Sequence, residues 1–321
     1  MKASEKIDFC FLKETEHLKH LDVEAIRRSK LRPSEMHIKI KEGQFKILRQ
    51  HEEQDPLRNN FLISLFSNRE FFLSNGLDLQ NVNCEFIFNS NDDVDFYEEG
   101  VPRWCFTRRA HHPNLLIPNP HIVNIHKITE SFPSTDMEFN EKEDKAIFAG
   151  SYTGGYLPED NQRFYFCIKN RDNELGKFVI NNFCVDKKVL EGHDWKSIES
   201  DFIPHPIQLK YKYIFNINGN TNCWDRLLWA MNSNSLCLFL RPKREDMCWH
   251  YHFFKTFGGF VYVDETDWEA SVKYFNENPS VAEALSTNQR QQSSGLVSIE
   301  AQISYFCKIL KFYNNLYEEK N

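Results

Sequence analysis

The chain has 321 residues, of which 41% are hydrophobic and 26% are charged, and its formal net charge is -7. This length suits two α/β domains of ordinary size. A nucleic-acid-binding protein needs a strongly basic face, so the negative balance excludes a basic footprint along the whole chain, and we expect no nucleic-acid partner. Nine cysteines form no CxxC pair, which indicates buried free thiols in a reducing compartment.

The ends and the apolar runs of the chain predict where the protein works. Residues Met1–Glu14 are charged and hold no apolar run long enough for a signal peptide. The longest apolar run, Leu236–Leu240, is far too short to cross a bilayer. We therefore expect a cytoplasmic protein. A peripheral contact with the inner face of the membrane stays open, and the sequence indicates no oligomeric state.

The first part of the chain begins with a charged leader, residues 1–33, which favours helix and packs on the body. Alternating apolar and polar residues on both sides of Glu42-Gly43 predict a β-hairpin. Apolar residues near helical spacing predict one helix over residues 59–73. A buried strand is predicted at Cys84–Phe88, and it leads into an acidic loop.

Prolines interrupt residues 102–120, so this segment is expected to be strand and loop. Residues 130–144 are polar without apolar periodicity, which makes them the candidate linker between domains. Residues 286–295 form a second polar stretch. The last helix, from about Ile299 to Tyr313, is amphipathic enough to pack back across the body.

Beyond the candidate linker, strands and helices alternate. The predicted order is strand 146–149, loop 150–155, a helix from Asn161, strand 213–217, loop 218–222, helix 223–231, and strands 236–240 and 260–263. Short links between alternating strands and helices predict an α/β fold, with a parallel sheet covered by helices on both faces.

The loop after the strand 213–217 is the first candidate site. In an open α/β sheet, ligands bind beyond the carboxyl ends of the strands, where a helix start offers free backbone N–H groups. Gly219 lets a ligand approach the backbone, Thr221 or Asn222 can cap the helix, and Arg226 can bind a phosphate. The alternative is an ordinary capped βα turn with a surface arginine, and the local pattern leaves the two about even.

The loop after the strand 146–149 is the second candidate. Gly150, Ser151 and neighbouring hydroxyl groups can bind a ribose or a phosphate, and Arg163 stands just inside the next helix. A flexible glycine-rich loop is as good an explanation when this segment is taken alone. Two such loops in one α/β half favour a nucleotide-phosphate site.

A carboxylate after the strand Cys84–Phe88 is the third candidate. Asp92 and Asp93 follow this strand closely, and a general base is commonly held at such a position. Adjacent side chains point in different directions, so at most one of the two can serve. An Asx turn that closes the strand is the structural alternative, and the local pattern favours it.

Metal binding is not expected. The pairs His111-His112 and His250/His252 have neither the i, i+4 spacing nor the cysteine partners of a zinc site. No GxSxG nucleophile motif occurs either.

These segments, taken in order from about Met36 to Tyr313, resemble glycosyltransferase family 90. That family includes protein O-glucosyltransferases, fungal capsule-associated xylosyltransferases and bacterial lipopolysaccharide-core transferases. The resemblance rests on four short segments, each only moderately specific. They are residues 85–92 (EFIFNSND), residues 102–107 (PRWCFT), residues 148–151 (FAGS) with Arg163, and residues 210–226.

The resemblance implies a GT-B arrangement of two Rossmann-like domains, inversion at the anomeric carbon, a UDP-sugar donor and no required metal or other cofactor. The expected domains are 1–145 on the acceptor side, 146–295 for the donor, and 296–321 as a helix returning to the first domain. Asp92 matches the family's catalytic base. The matching donor-binding residues are Gly150, Ser151, Arg163, Gly219, Asn220, Thr221, Asn222, Cys223, Trp224 and Arg226.

The spacing leaves open whether Asp225 or Arg226 faces the diphosphate. The expected function is inverting sugar transfer to a lipopolysaccharide or another surface glycan. Two alternatives stay open: glycosylation of a protein Ser or Thr, and a non-catalytic module that binds a nucleotide or a glycan. The sequence specifies neither the sugar nor the linkage.

Overall fold

The computed structural model describes residues 1–53, 55–91 and 95–319. The predicted base, Asp92, and its neighbour Asp93 lie outside these described residues. The helices are α1 (Ala3–Thr15), α2 (Val23–Arg28), α3 (Pro56–Ser67), α4 (Arg69–Ser74), α5 (Ile122–Glu130), α6 (Phe132–Thr135), α7 (Gln162–Lys169), α8 (His205–Gln208), α9 (Arg226–Met231), α10 (Tyr251–Thr256), α11 (Trp268–Glu277), α12 (Pro279–Ser293) and α13 (Ile299–Glu318).

The strands are β1 (Glu35–Lys41), β2 (Gln44–Gln50), β3 (Cys84–Asn89), β4 (Arg103–Cys105), β5 (Arg108–Arg109), β6 (Leu115–Leu116), β7 (Glu143–Tyr152), β8 (Gly176–Phe183), β9 (Tyr211–Asn216), β10 (Leu236–Leu240), β11 (Asp246–Met247) and β12 (Val261–Val263). Strands and helices alternate through the second half of the chain, as the sequence predicted.

The chain divides into two compact units. The first contains Met1–Val123, Glu245–Phe253 and Ser298–Asn321, and the second contains Asn124–Arg244 and Phe254–Val297. The candidate linker, residues 130–144, falls in the second unit, where it forms α6 and the start of β7.

The first unit is built on a mixed sheet with the order β2-β1-β3-β4-β6. The predicted hairpin is confirmed, because β1 and β2 pair antiparallel around Glu42-Gly43. Both turn residues have positive φ, 52° and 71°, as a two-residue hairpin turn requires. β1 also runs antiparallel to β3, whereas β3, β4 and β6 are parallel.

Aromatic side chains fill the core of the first unit. The ring of Phe306, on α13, lies 5.7 Å from both Phe66 and Trp104 and 6.2 Å from Phe72. The single helix predicted over 59–73 is wrong, because α3 ends at Ser67 and α4 begins at Arg69. Asn68 interrupts them with a non-helical backbone (φ -96°, ψ 80°), a position that asparagine favours at helix starts.

The second unit is built on a fully parallel sheet with the order β12-β10-β9-β7-β8. Numbered by position in the chain, this is the doubly wound order 2-1-3-4-5, which confirms the predicted α/β fold with parallel strands. Phe148, Phe178 and Phe215 from the strands pack with Phe166 of α7 and Trp268 of α11 in one buried cluster.

Two features of the second unit differ from the sequence prediction, which had no strand at β8 and left residues 286–295 outside any helix. The polar residues 286–293 belong to α12, and within this stretch the helix buries Ser286, Gln289, Gln292 and Ser293. The burial of Gln289 has a clear reason. Its side-chain amide accepts a hydrogen bond from the Cys237 N–H of β10 and donates one to the Cys237 carbonyl. None of the helices in the described part of the chain is long and apolar enough to cross a bilayer.

Candidate functional site

The candidate site forms where β7 and β9 end, side by side in the sheet of the second unit. In the order 2-1-3-4-5, these two strands flank the point where the strand order reverses, and ligands bind in the crevice beyond their carboxyl ends. Gly150 and Ser151 belong to β7 itself, which continues to Tyr152. The sequence had placed them in a loop, so the loop starts three residues later than predicted.

The loops after β7 and β9 are in backbone contact. The N–H of Gly154 donates to the Asn220 side chain at 2.9 Å. A Cβ atom on Gly154, whose φ is +110°, would lie 2.9 Å from the Gly219 carbonyl oxygen. A Cβ atom on Gly219 would lie 2.5 Å from Thr153 Oγ1. Both glycines are therefore required for the close approach of the two loops.

Arg163 ties the two strand ends together. Its Nε donates to the Ile217 carbonyl at 3.0 Å, and its Nη1 donates to the Ser151 carbonyl at 3.1 Å and to Thr153 Oγ1 at 2.6 Å. Its Nη2 donates to Cys223 Sγ at 3.1 Å. Because a guanidinium has five N–H groups, these contacts occupy most of its capacity. Arg163 thus positions the site more than it offers a free cation.

Arg226 has a different environment. Its Nη1 donates to Gln208 Oε1 at 3.2 Å, and its Nη2 donates to the Ala149 carbonyl. Its Cζ lies 5.0 Å from the ring centroid of Phe148, and the Cζ of Arg163 lies 5.7 Å from the same ring. Two guanidinium groups therefore share one aromatic ring.

No ion pair joins either of these guanidinium groups to a carboxylate within residues 1–53, 55–91 and 95–319. Burial lowers the pKa of Arg226, and the like charge of Arg163 lowers it further, while Asp225 acts in the opposite direction. The residue as a whole is only half-buried, so solvent still reaches it. A partly desolvated cation that forms no ion pair with a described carboxylate favours an anionic ligand.

The helix start does not supply the predicted anion site. The helix predicted from Cys223 begins at Arg226, and its N-cap is Asp225, whose carboxylate accepts from the Arg226 N–H. Capping by Thr221 or Asn222 is therefore wrong. A six-residue helix with a carboxylate at its N-cap offers an anion little attraction, because its dipole is small and the cap is negative.

Buried side-chain amides without partners surround the end of β9. Asn216 is 0% exposed and Asn222 is 4% exposed. In both residues the amide oxygen and nitrogen lack a hydrogen-bond partner among the described residues, as does Oδ1 of Asn218. Such atoms cost about 1–3 kcal/mol each when left unpaired, so they are expected to bind water or a ligand.

The other predicted donor residues lie on the same loop. Thr221 is buried and its carbonyl accepts from the Gly219 N–H at 2.8 Å. Cys223 is buried and its Sγ lies 3.1 Å from the Ile217 carbonyl, while Trp224 is half-buried. The structure thus brings the predicted donor residues to one end of one sheet.

Sequence reasoning missed two residues of this cluster, Gln208 and Asn216, whereas Thr153 and Asn218 lie in the predicted loops 150–155 and 218–222. For Asn216 a signal was available: an amide at the end of an otherwise apolar strand is unusual. For Gln208, which lies on α8 far from the loop in sequence, no local pattern indicated a contact with Arg226.

The residues that precede the predicted base form a polar network in the first unit. Asn89 ends β3, and its side chain accepts from the Asn91 N–H at 2.8 Å. The Ser90 carbonyl accepts from Arg58 at 2.7 Å. Arg103 and Glu35 form a buried ion pair at 3.2 Å beside Asn89. These contacts hold the chain segment that precedes Asp92 in the sequence. Asp92 itself lies outside the described residues.

The predicted histidine pairs, His111-His112 and His250/His252, are among the described residues. Among the described residues, no three His, Cys, Asp or Glu side chains form a group that could hold a metal ion.

Comparison with known proteins gives one informative similarity. No family model matches the chain. Over 127 residues the chain is 32% identical to the "O-glucosyltransferase LpsA" of Dichelobacter nodosus. The aligned part covers 38% of this chain and 39% of that relative. The chain is therefore similar, over a limited part of both lengths, to a protein named as a glycosyltransferase.

Proposed function

We propose that this chain is an inverting glycosyltransferase of GT-B type, which moves a sugar from a UDP-sugar to an acceptor hydroxyl. The observation that carries the proposal is the cluster at the ends of β7 and β9. There, among the described residues, the Arg226 guanidinium forms no ion pair with a carboxylate, and the buried amides of Asn216 and Asn222 have no hydrogen-bond partner. An anionic, hydroxyl-rich ligand such as a nucleotide-sugar would satisfy both needs.

The partial similarity to a protein named O-glucosyltransferase favours sugar transfer over the other uses of a doubly wound sheet. The two compact units, each with parallel strands, support a two-domain transferase. We propose that the second unit binds the donor and that the first supplies the acceptor contacts and Asp92.

In the donor site, Arg226 would contact the diphosphate with the N–H groups that Gln208 and Ala149 leave available. Arg163 would hold Ser151 and the loop of Gly219 in place, as its four hydrogen bonds suggest. The close approach of Gly154 and Gly219 would keep side chains away from the ligand.

The proposed reaction is a single displacement. The acceptor oxygen attacks the anomeric carbon and the bond from that carbon to the phosphate oxygen breaks, so UDP leaves with the electron pair. The Asp92 carboxylate takes the proton of the acceptor hydroxyl. Arg226 stabilises the charge that develops on the leaving diphosphate, and the scheme requires no metal ion.

The acceptor is proposed to be a lipopolysaccharide or another surface glycan. Transfer to a protein Ser or Thr uses the same chemistry and is the second outcome that an acceptor screen must include. A chain that binds UDP but neither transfers nor hydrolyses the donor would be a binding module.

The direct test is thermal stabilisation by UDP and by UDP-glucose, UDP-galactose, UDP-xylose and UDP-N-acetylglucosamine, followed by donor hydrolysis with and without EDTA.

Arg226→Ala is expected to weaken UDP binding by about 1–3 kcal/mol, because it removes a partly buried charge-assisted contact. Arg171→Ala, on an exposed arginine of the same unit, is the control. Absence of stabilisation by UDP would refute the donor site, and metal-dependent rescue after EDTA would refute the metal-free scheme.

A further inference from the structure

One sheet face of the first unit concentrates positive charge. Along β1, the buried residues Met36, Ile38 and Ile40 alternate with His37, Lys39 and Lys41, which therefore lie on the opposite face. Opposite them on β2, Lys46 pairs with Lys39 and Arg49 pairs with His37. We call the face that carries Lys39, Lys41, Lys46 and Arg49 the basic sheet face.

The charge of this face is only partly compensated. Buried Glu85 accepts from Lys39 at 2.9 Å and from Arg27 of α2 at 3.4 Å, and Arg27 also pairs with exposed Glu24 at 2.9 Å. Arg49 donates to the carbonyls of Ser29 and Ile26 rather than to a carboxylate.

Two lysines of the basic sheet face extend into solvent. Lys41 lies 3.7 Å from exposed Glu42, and its side chain is 57% exposed. Lys46 is exposed and has no ion pair among the described residues. These side chains can be changed without breaking a buried contact.

The surrounding segment has the same bias. Residues 27–50 contain eight Lys and Arg against two Glu, in a chain whose net charge is -7. One of the two, Glu35, is 0% exposed and paired with Arg103. The exposed charge of this segment is therefore strongly positive, against the balance of the whole molecule.

The shape and composition of the face favour one kind of polyanion. Phe45, the aromatic residue of the hairpin strands, stacks inward on Phe66 at 4.8 Å, so the face lacks the stacking platform that single-stranded nucleic acids use. Leu48 adds an exposed aliphatic side chain, 38% exposed. A pleated two-stranded surface with cations and one aliphatic group is complementary to a layer of anionic headgroups.

We propose that the basic sheet face docks the protein on a membrane surface rich in anionic phospholipid headgroups. The lysines and Arg49 make electrostatic contact with the headgroup phosphates, and Leu48 contacts the interface. This inference is independent of the proposed sugar transfer, since it uses no residue of the donor site.

The test is co-sedimentation with vesicles of phosphatidylcholine alone and of phosphatidylcholine with phosphatidylglycerol, three parts to one. We expect binding to the anionic vesicles only, with loss of binding when salt is raised from about 0.1 M to about 1 M, because screening shortens the Debye length. The double variant Lys41→Glu, Lys46→Glu is expected to bind the anionic vesicles about tenfold or more weakly.

The matched control is Lys145→Glu, Lys177→Glu, which makes the same charge change at two exposed strand lysines of the second unit. It is expected to retain most of the binding. Equal losses in the two double variants, equal binding to neutral vesicles, or no binding by the unmodified protein would each overturn the proposal. So would tighter binding to single-stranded DNA than to anionic vesicles at the same salt.

Stabilisation by UDP, measured on the same proteins, keeps the two proposals separate. The Lys41→Glu, Lys46→Glu variant is expected to be stabilised by UDP as much as the unmodified protein. Vesicle binding without any UDP effect would refute the proposed donor site and leave the docking face standing.

Discussion

At the scale of single residues, two arginines on the same aromatic ring have different tasks. Arg163 donates four hydrogen bonds to residues at the ends of β7 and β9 and in the loops that follow these strands. Arg226 makes two hydrogen bonds and carries a lowered pKa because it is desolvated. Because Arg226 is half-buried and forms no ion pair with a described carboxylate, an anion that binds there gains a charge-assisted contact, so Arg226 is the better candidate for a ligand contact.

Exchange of the proposed base offers a test with an internal control. Asp92→Asn is expected to retain UDP binding and to lose sugar transfer by about a hundredfold or more, since an amide cannot take the acceptor proton. Asp93→Asn is the matched control and is expected to retain transfer. The reverse pattern, measured as initial rates at saturating donor, would assign the base to Asp93.

Removal of the unpaired amide at the end of β9 separates stability from binding. Asn216→Leu is expected to raise the free energy of unfolding of the ligand-free protein by about 1–3 kcal/mol, because a buried amide without a partner is replaced by an apolar group. The same change is expected to reduce stabilisation by UDP. Urea unfolding with and without UDP measures both effects. A destabilised free protein would show that water already satisfies Asn216.

At the scale of elements, the site depends on two loops that meet through glycine. Gly154 and Gly219 allow a backbone approach that no other residue permits, and the Asn220 side chain closes it. The helices that follow serve mainly to fix the loops. α7 starts with an Asn161 cap and supplies Arg163, and the short α9 starts with Arg226.

Alanine at the loop contact tests this arrangement. Gly154→Ala introduces both an unfavourable φ and a clash with Gly219, whereas Gly192→Ala introduces only the unfavourable φ of +87° with open space around it. We expect Gly192→Ala to cost about 1–2 kcal/mol of unfolding free energy. Gly154→Ala is expected to cost more and to weaken UDP binding. Equal behaviour of the two variants in thermal unfolding and UDP titration would contradict a role for the loop contact.

At the scale of the molecule, the first unit is assembled from three separate chain segments, and a buried ion pair joins distant parts of the first of them. Glu14 of α1 and Arg108 of β5 are joined at 3.1 Å with both side chains at least 97% buried, and Glu14 also accepts from the Leu116 N–H at 2.7 Å. Breaking such a pair costs about 3–5 kcal/mol, so polar contacts as well as the aromatic core hold the first unit.

The stability of the first unit is expected to depend on pH through His250, a fully buried residue whose pKa burial lowers to about 3. The unfolded chain binds the proton near pH 6.5 and the folded chain does not. Stability is therefore fully present above about pH 6.5 and is lost as the pH falls towards 3. Between pH 6.5 and 5, the loss attributable to this residue is about 2 kcal/mol.

His250→Gln removes the titrating group and is the comparison variant. We expect urea unfolding to show a smaller loss of stability for the variant than for the unmodified protein over this pH range. The histidines with pKa values lowered by burial, His17, His37 and His205, act in the same direction in both proteins, so only the difference between the two is diagnostic. Identical pH profiles would contradict the burial of a neutral His250.

The sequence by itself determined the hairpin around Glu42-Gly43, four strands of the second sheet (β7, β9, β10 and β12) and the amphipathic last helix, because these depend on local turn chemistry and hydrophobic periodicity. It did not predict β8. It also indicated which two loops carry polar residues after buried strands. The tertiary structure decided what those residues do. Gln208 reaches Arg226 across 18 positions, Arg163 joins two strand ends 54 and 12 positions away, and Asn216 is buried with no side-chain partner in the described part of the chain. Such contacts depend on strand order, which no local pattern encodes.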